Sequence, residues 1–303
     1  MATEQLQRPD NFWLPNDEYY ERVAESNVNS TMHWIGRIGT SIASFYETGR
    51  VIVDKSPGFI AMQPEIAEGN TITIAPHFGK FETVGHPEAQ ERAGIHHARP
   101  WTKVEMYQTP IERVTMDNLG AIAIDKNGEA DMAGLFSASA GILKRGDNNP
   151  GAKHGLLRRK VKNGSLMVFP GGTRNKSDVM TAPETKIGVV KAGLLNDSLM
   201  IPSAFIGRSV EVSDEGEILR RDKKSKFGLG PRAVVSFCDP FRFEPLSVPL
   251  NTDGTMSDST TDSATQRREL MERNDLVRES LQKAIDQAKT RRGTWLEEDF
   301  TSL

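Results

Sequence analysis

Apolar residues fall along this chain in two styles, short dense runs and longer stretches with wider spacing. The short runs, at residues 50–54, 58–62, 71–75, 120–124, 165–169, 200–206 and 232–237, read as buried strands. Between the later runs lie helix-compatible stretches at 78–92, 129–144, 150–162 and 185–196. Alternation of this kind implies an α/β layer architecture. Residues 16–49 read as an amphipathic helix, with Trp34, Ile35, Ile38, Ile42 and Phe45 on one face. Residues 251–266, rich in Ser, Thr and Asp, read as a mobile linker. A terminal helix over 267–292 carries Leu270, Val277, Leu281, Ala284 and Ala288 on the side expected to pack on the body. The expected division is therefore a helical segment at 1–49, a main domain at 50–250, a linker at 251–266 and a C-terminal helix at 267–303.

Composition narrows the function classes. With 303 residues, 37% of them apolar, the chain can bury a sizeable core. A net charge of -3 argues against general nucleic-acid binding. Charge is unevenly spread, however. Between residues 144 and 176 stand Lys144, Arg145, Lys153, Arg158, Arg159, Lys160, Lys162, Arg174 and Lys176 against a single acid, Asp147. Such a patch suits phosphates, a coenzyme A tail or an anionic membrane surface. The single cysteine, Cys238, excludes an internal disulfide and fits a reducing compartment. It lies in the strand-like AVVSFCDPF and reads as a structural thiol. The N-terminus is polar and no run of 18 apolar residues occurs, so a cytoplasmic protein, peripheral on the cytoplasmic membrane face, is expected. His96 and His97 lack a neighbouring ligand at metal spacing, and no metal site is expected there.

The candidate chemistry sits in TITIAPHFGKFE, where His77 is followed five residues later by Glu82. This puts His77 at a strand-to-helix turn and Glu82 one turn into the helix. A carboxylate bonded to one imidazole nitrogen fixes the tautomer and leaves the other free to take a hydroxyl proton, worth roughly 100- to 10,000-fold in rate. About ninety residues on comes LMVFPGGTRN, where Gly171 and Gly172 allow close backbone approach and Arg174 offers a cation.

Four blocks in this order make the chain resemble the glycerophospholipid acyltransferase family, which contains lysophosphatidic acid and glycerol-3-phosphate acyltransferases. Residues 77–82 stand against its HxxxxD, and GAIAIDK at 120–126 against Gly, apolar residues and Asp-Arg. FPGGTR at 169–174 stands against FPEGTR, and MIPSAFI at 200–206 against an apolar segment with a central Pro. Glu82 replaces the family's Asp, Gly171 its Glu and Lys126 its Arg. The resemblance implies a central mixed sheet flanked by helices. It also implies transfer of an acyl group from acyl-CoA or acyl carrier protein to a lysophospholipid, most simply 1-acylglycerol 3-phosphate, with no bound cofactor. His77 and Glu82 would be catalytic, and Arg174, Lys126, Lys103 and Lys176 would hold the acceptor phosphate. Glycerol 3-phosphate or a neutral lipid is the alternative acceptor. A catalytically silent membrane-binding relative and a thioester hydrolase are the rival classes.

Overall fold

The computed structural model describes residues 12–25, 51–78, 82–96, 98–118, 120–125, 132–145, 163–172, 181–206, 210–213, 216–219 and 233–301; at 82–84, 118, 210–213, 216–219 and 293–301 it describes the backbone alone. The chain forms α1 (Asp17–Glu25), β1 (Ile52–Lys55), α2 (Pro57–Ala61), α3 (Gln63–Glu68), β2 (Thr71–Ile74) and α4 (Glu82–Ala93). There follow β3 (Ala98–Lys103), a 3-10 turn (Val104–Tyr107), α5 (Pro110–Asn118), β4 (Ile122–Ile124), α6 (Met132–Leu143) and β5 (Ser165–Val168). The last elements are α7 (Gly188–Asn196), β6 (Leu199–Ile206), β7 (Val210–Ser213), β8 (Gly216–Leu219), β9 (Val234–Phe237) and α8 (Thr260–Thr301).

Seven strands form one mixed sheet in the order β1-β9-β6-β2-β5-β3-β4, and β7 and β8 pair separately. The five strands from β6 to β4 are mutually parallel, and β9 runs antiparallel to β6. Every residue of β2, β5, β6 and β9 is buried. Strands covered on both faces carry no charged residue here, and their polar positions, Thr71, Thr73, Ser165, Ser203 and Ser236, are small hydroxyl side chains buried with the rest. On one face α2, α3 and α4 pack Phe59, Ile66, Ala89 and Ala93 against Leu199, Ile201, Phe205 and Phe237. On the other, α1, α6, α7 and α8 cover Ile72, Ile74, Leu166, Val168 and Met200. The far half of α8 sets Ala284, Ile285 and Ala288 over Phe78, Ala204, Ile206 and Val234. Leu270, Val277, Leu281, Ala284 and Ala288 are all fully buried, the face read from the sequence.

Several expectations are corrected. Residues 58–62 are not a strand. Ser56 caps a helix there by accepting from the Phe59 amide, and Pro57 sits at its first turn, so capping decides what a short apolar run leaves ambiguous. β3 and α5 were not anticipated, because Arg99 and Pro100 interrupt ARPWTK; its first half pairs with β5 and its second half with β4. The terminal helix begins at Thr260, within the expected linker, where Gln266 is fully buried and bonds Ser257, Val248 and Pro249. Ahead of it, 251–256 is a turn held by Asn251, Asp253 and Thr255. Trp34, Ile35, Ile38, Ile42 and Phe45 lie outside the described residues.

The N-terminal α1 closes the open edge of β4. The Ala123 amide donates to Tyr19 Oη at 2.9 Å, and Tyr20 Oη donates to the Ala123 carbonyl at 3.1 Å. An edge strand whose backbone is occupied this way cannot recruit another chain. The C-terminal carbonyls of α1 are met by two guanidinium groups, Arg99 on Val23 and Arg145 on Ala24. Positive charge at this end also opposes the helix dipole. Burial is the main cause pushing Arg99 down to about 10, so it remains a cation at neutral pH. Tyr19→Phe leaves the buried Ala123 amide unpaired and is expected to lower the free energy of unfolding by about 1–3 kcal/mol. Urea denaturation checks this, and an unchanged midpoint would contradict it.

Candidate active site

Because five neighbouring strands are parallel, their carboxyl ends lie along one edge of the sheet, where open α/β sheets place their ligands. β2 runs out into Ala75, Pro76 and His77, and adjacent β5 runs out into Phe169, Pro170, Gly171 and Gly172. The Ala75 amide donates to the Val168 carbonyl at 3.1 Å, carrying the pairing past the end of β2. Immediately beyond, the half-buried His77 ring stacks on Phe169, centroids 4.6 Å apart and planes inclined by 27°. Two segments about ninety residues apart in sequence thus meet face to face.

The turn after β5 is tightly held. Gly172 donates its amide to the Phe169 carbonyl at 2.8 Å and has φ +66°, a conformation glycine adopts without strain. Gly171 is crowded, since a Cβ there would lie 3.2 Å from Pro183 and 3.4 Å from the Glu184 carbonyl. The Lys186 amide donates to the Pro170 carbonyl at 3.0 Å. α8 braces this loop in turn: Gln282 accepts from the Ala182 amide and Asn274 donates to the Thr185 carbonyl, each at 2.9 Å.

Behind His77 lies a buried polar link. His86, fully buried on α4, bonds through Nε2 to Ser203 Oγ at 2.9 Å, and Ser203 Oγ lies 3.3 Å from the Ile74 carbonyl. A carbonyl can only accept, so the hydroxyl donates to Ile74 and accepts from His86 Nε2–H. Burial first, and then the nearby His77 imidazole, push His86 down to about 3, so its ring is neutral. α4 lies this close to β6 because of Gly85, where a Cβ would come within 2.4 Å of the Phe205 ring.

Of the residues singled out from sequence, His77, Gly171 and Gly172 gather at one place. Glu82 opens α4, with its side chain outside the described residues. Lys103 ends β3 and is half-buried, two strands from β2 and so about 10 Å away across the sheet. Lys126, Arg174 and Lys176 lie outside the described residues, as does most of the basic run. Two members of that run have internal partners: Lys144 donates to the Leu195 carbonyl and Arg145 to those of Ala24 and Gly141. Three residues were missed by sequence reading, namely His86, Ser203 and Lys186. A lone His in a helix and a Ser inside an apolar run carry no periodic signal. Lys186 is exposed, and its side chain runs beside Gly172, where a Cβ would meet Cε at 3.8 Å. Cys238 donates to Gln287 Oε1 at 3.0 Å, and burial followed by the carboxylates of Asp239 and Asp54 pushes its thiol up to about 12. It is therefore a weak nucleophile. No helix among the described residues is long and apolar enough to cross a membrane.

Comparison with known protein families and with curated protein sequences finds no match.

The neutral His86 gives the fold a pH dependence of known sign. Its ring titrates near 6.5 when unfolded and near 3 when folded, so between those values only the unfolded chain binds the proton. Its contribution to stability is full above about pH 6.5 and falls as pH drops toward about 3, by up to about 1.4 kcal/mol per pH unit. His86→Gln keeps a donor for Ser203 and removes this term. The loss of unfolding free energy between pH 7 and about pH 5 is expected to shrink by about 2 kcal/mol in the variant, measured by urea titration at both pH values.

Proposed function

We propose that the protein transfers a fatty acyl group from a thioester, acyl-CoA or acyl carrier protein, to a hydroxyl of a lysophospholipid, 1-acylglycerol 3-phosphate first among them. The stacking of His77 on Phe169 carries this reading, because it brings the His-x-x-x-x-Glu block and the FPGGTR block together at the carboxyl ends of adjacent parallel strands. His77 takes the hydroxyl proton as the oxygen attacks the thioester carbonyl. The C–S bond then breaks, and the departing thiolate receives that proton from the imidazolium, so no acyl-enzyme forms and no bound cofactor is required. Glu82, at the first turn of α4, holds the imidazole and stabilises its cation. Arg174 binds the acceptor phosphate with help from Lys126, Lys103 and Lys176, since a phosphate in a partly dry site calls for charge-assisted donors. Lys186 joins this set through its place beside Gly172. Lys153, Arg158, Arg159, Lys160 and Lys162 meet an anionic membrane surface from the cytoplasmic side.

Crowding at Gly171 favours a second reading of the acceptor alone. A Cβ there would press on Pro183 at 3.2 Å, and with glycine at this position the carboxylate that the family associates with the acceptor is absent. A neutral lipid or glycerol 3-phosphate would then be the acceptor.

Thioester consumption with a long-chain acyl-CoA or acyl carrier protein, run against lysophosphatidic acid, glycerol 3-phosphate, monoacylglycerol and no acceptor, separates these readings. His77→Ala is expected to lower acceptor-dependent turnover by at least about 100-fold. Arg174→Ala is expected chiefly to raise the KM of a phosphorylated acceptor. Unchanged turnover in the His77 variant would overturn the mechanism. Thiol release without acceptor would indicate a hydrolase, and no release with any donor would leave a membrane-binding relative.

A further inference from the structure

His86 on α4 and Ser203 on β6 form a buried polar link that ends on the Ile74 carbonyl, the last residue of β2 before the segment carrying His77. The His86 ring is enclosed by Phe205 and Phe237, with centroids 6.1 and 6.5 Å away. Its Nδ1 has no partner among the described residues. As packing alone this is a poor choice, since a leucine would fill the same apolar pocket with no orphaned nitrogen. What the imidazole supplies is a directed bond. Ile74, which receives the far end of the link, precedes His77 by three residues, a reach of about 10 Å at most. Glu82 precedes His86 by four residues, about one helical turn. The link therefore ties the two short arms that carry His77 and Glu82, at a depth that solvent does not reach.

We propose that His86 is a positioning residue for His77, acting through the Ser203 hydroxyl and the Ile74 carbonyl to hold the first turn of α4 in register with the end of β2. The proposal rests on the acyl-transfer reading for what His77 does, but not for where it is held. A misplacement of about 1 Å between base and substrate can cost about 100-fold in rate, so losing this link acts on turnover more than on binding.

Three variants test it. Ser203→Ala removes a single oxygen, His86→Leu keeps the volume without the donor, and His86→Gln returns an N–H at the depth of Nε2. Two readouts are taken on variants shown folded by thermal melting: kcat and acceptor KM, and the imidazole 1H–13C NMR signal of His77, assigned by its loss in His77→Gln. Ser203→Ala and His86→Leu are expected to lower kcat by about 10- to 100-fold, leave the acceptor KM within about twofold and move the His77 signal. His86→Gln is expected to recover most of the lost kcat. Should His86→Leu fail to fold, Ser203→Ala carries the test. An unmoved His77 signal and unchanged kcat, with only a lower melting temperature, would overturn the proposal. If the wild-type protein acylates no acceptor, the acyl-transfer reading falls, and the His77 signal in Ser203→Ala alone then decides the positioning role.

Discussion

All that meets at His77 depends on β2 being paired in register on both sides, with β5 through Ser165–Val168 and with β6 through Leu199 to Pro202. A strand fixed by two ladders has no freedom to slip, because a one-residue shift would turn Ile72 and Ile74 toward α4 and bring Thr71 and Thr73 to the opposite core. The residues that follow inherit that certainty. Pro76 and Phe78 are buried on either side of His77, so the backbone is anchored while the imidazole itself stays half-exposed. This is the condition a base requires, fixed in place yet open to a proton donor.

The interior beneath α4 is more polar than its apolar shell suggests. Thr71 donates to Ser165 at 2.9 Å, His86 is bonded to Ser203, and Thr73, His86 and Gln90 each keep buried polar atoms with no partner among the described residues. Each unpaired group costs about 1–3 kcal/mol, a sizeable fraction of the net stability of a domain. A fold bears such a cost where polar groups specify one arrangement of helix on sheet, and this seam runs beneath the end of β2.

Sequence pattern recovered the layer class because β2, β5, β6 and β9 are buried on both faces and stand out as uncharged, largely apolar segments. It failed at β3, where Arg99 and Pro100 break the run and the buried arginine serves the α1 carbonyls rather than solvent. It failed at 58–62 because five apolar letters cannot show that Ser56 and Pro57 will start a helix. At the site, His77 and the glycine pair were legible as motifs. Their contact was not, since it arises from the order β6-β2-β5 and no local spacing encodes it. Ser203 and His86 were hidden for a related reason: each is ordinary in its own segment and gains meaning only from the other.

The bracing of 181–186 by α8 orders events as the chain is made. Asn274 and Gln282, which fasten that loop, come after every strand of the sheet in the chain. On a ribosome all the strands therefore emerge while the turn beyond β5 is still untethered and the sheet face that α8 covers is still open. The edge carrying His77 and Phe169 acquires its final support only when the long helix has emerged and laid itself across β6 and β9, so synthesis itself delays completion of the site until the scaffold beneath it exists.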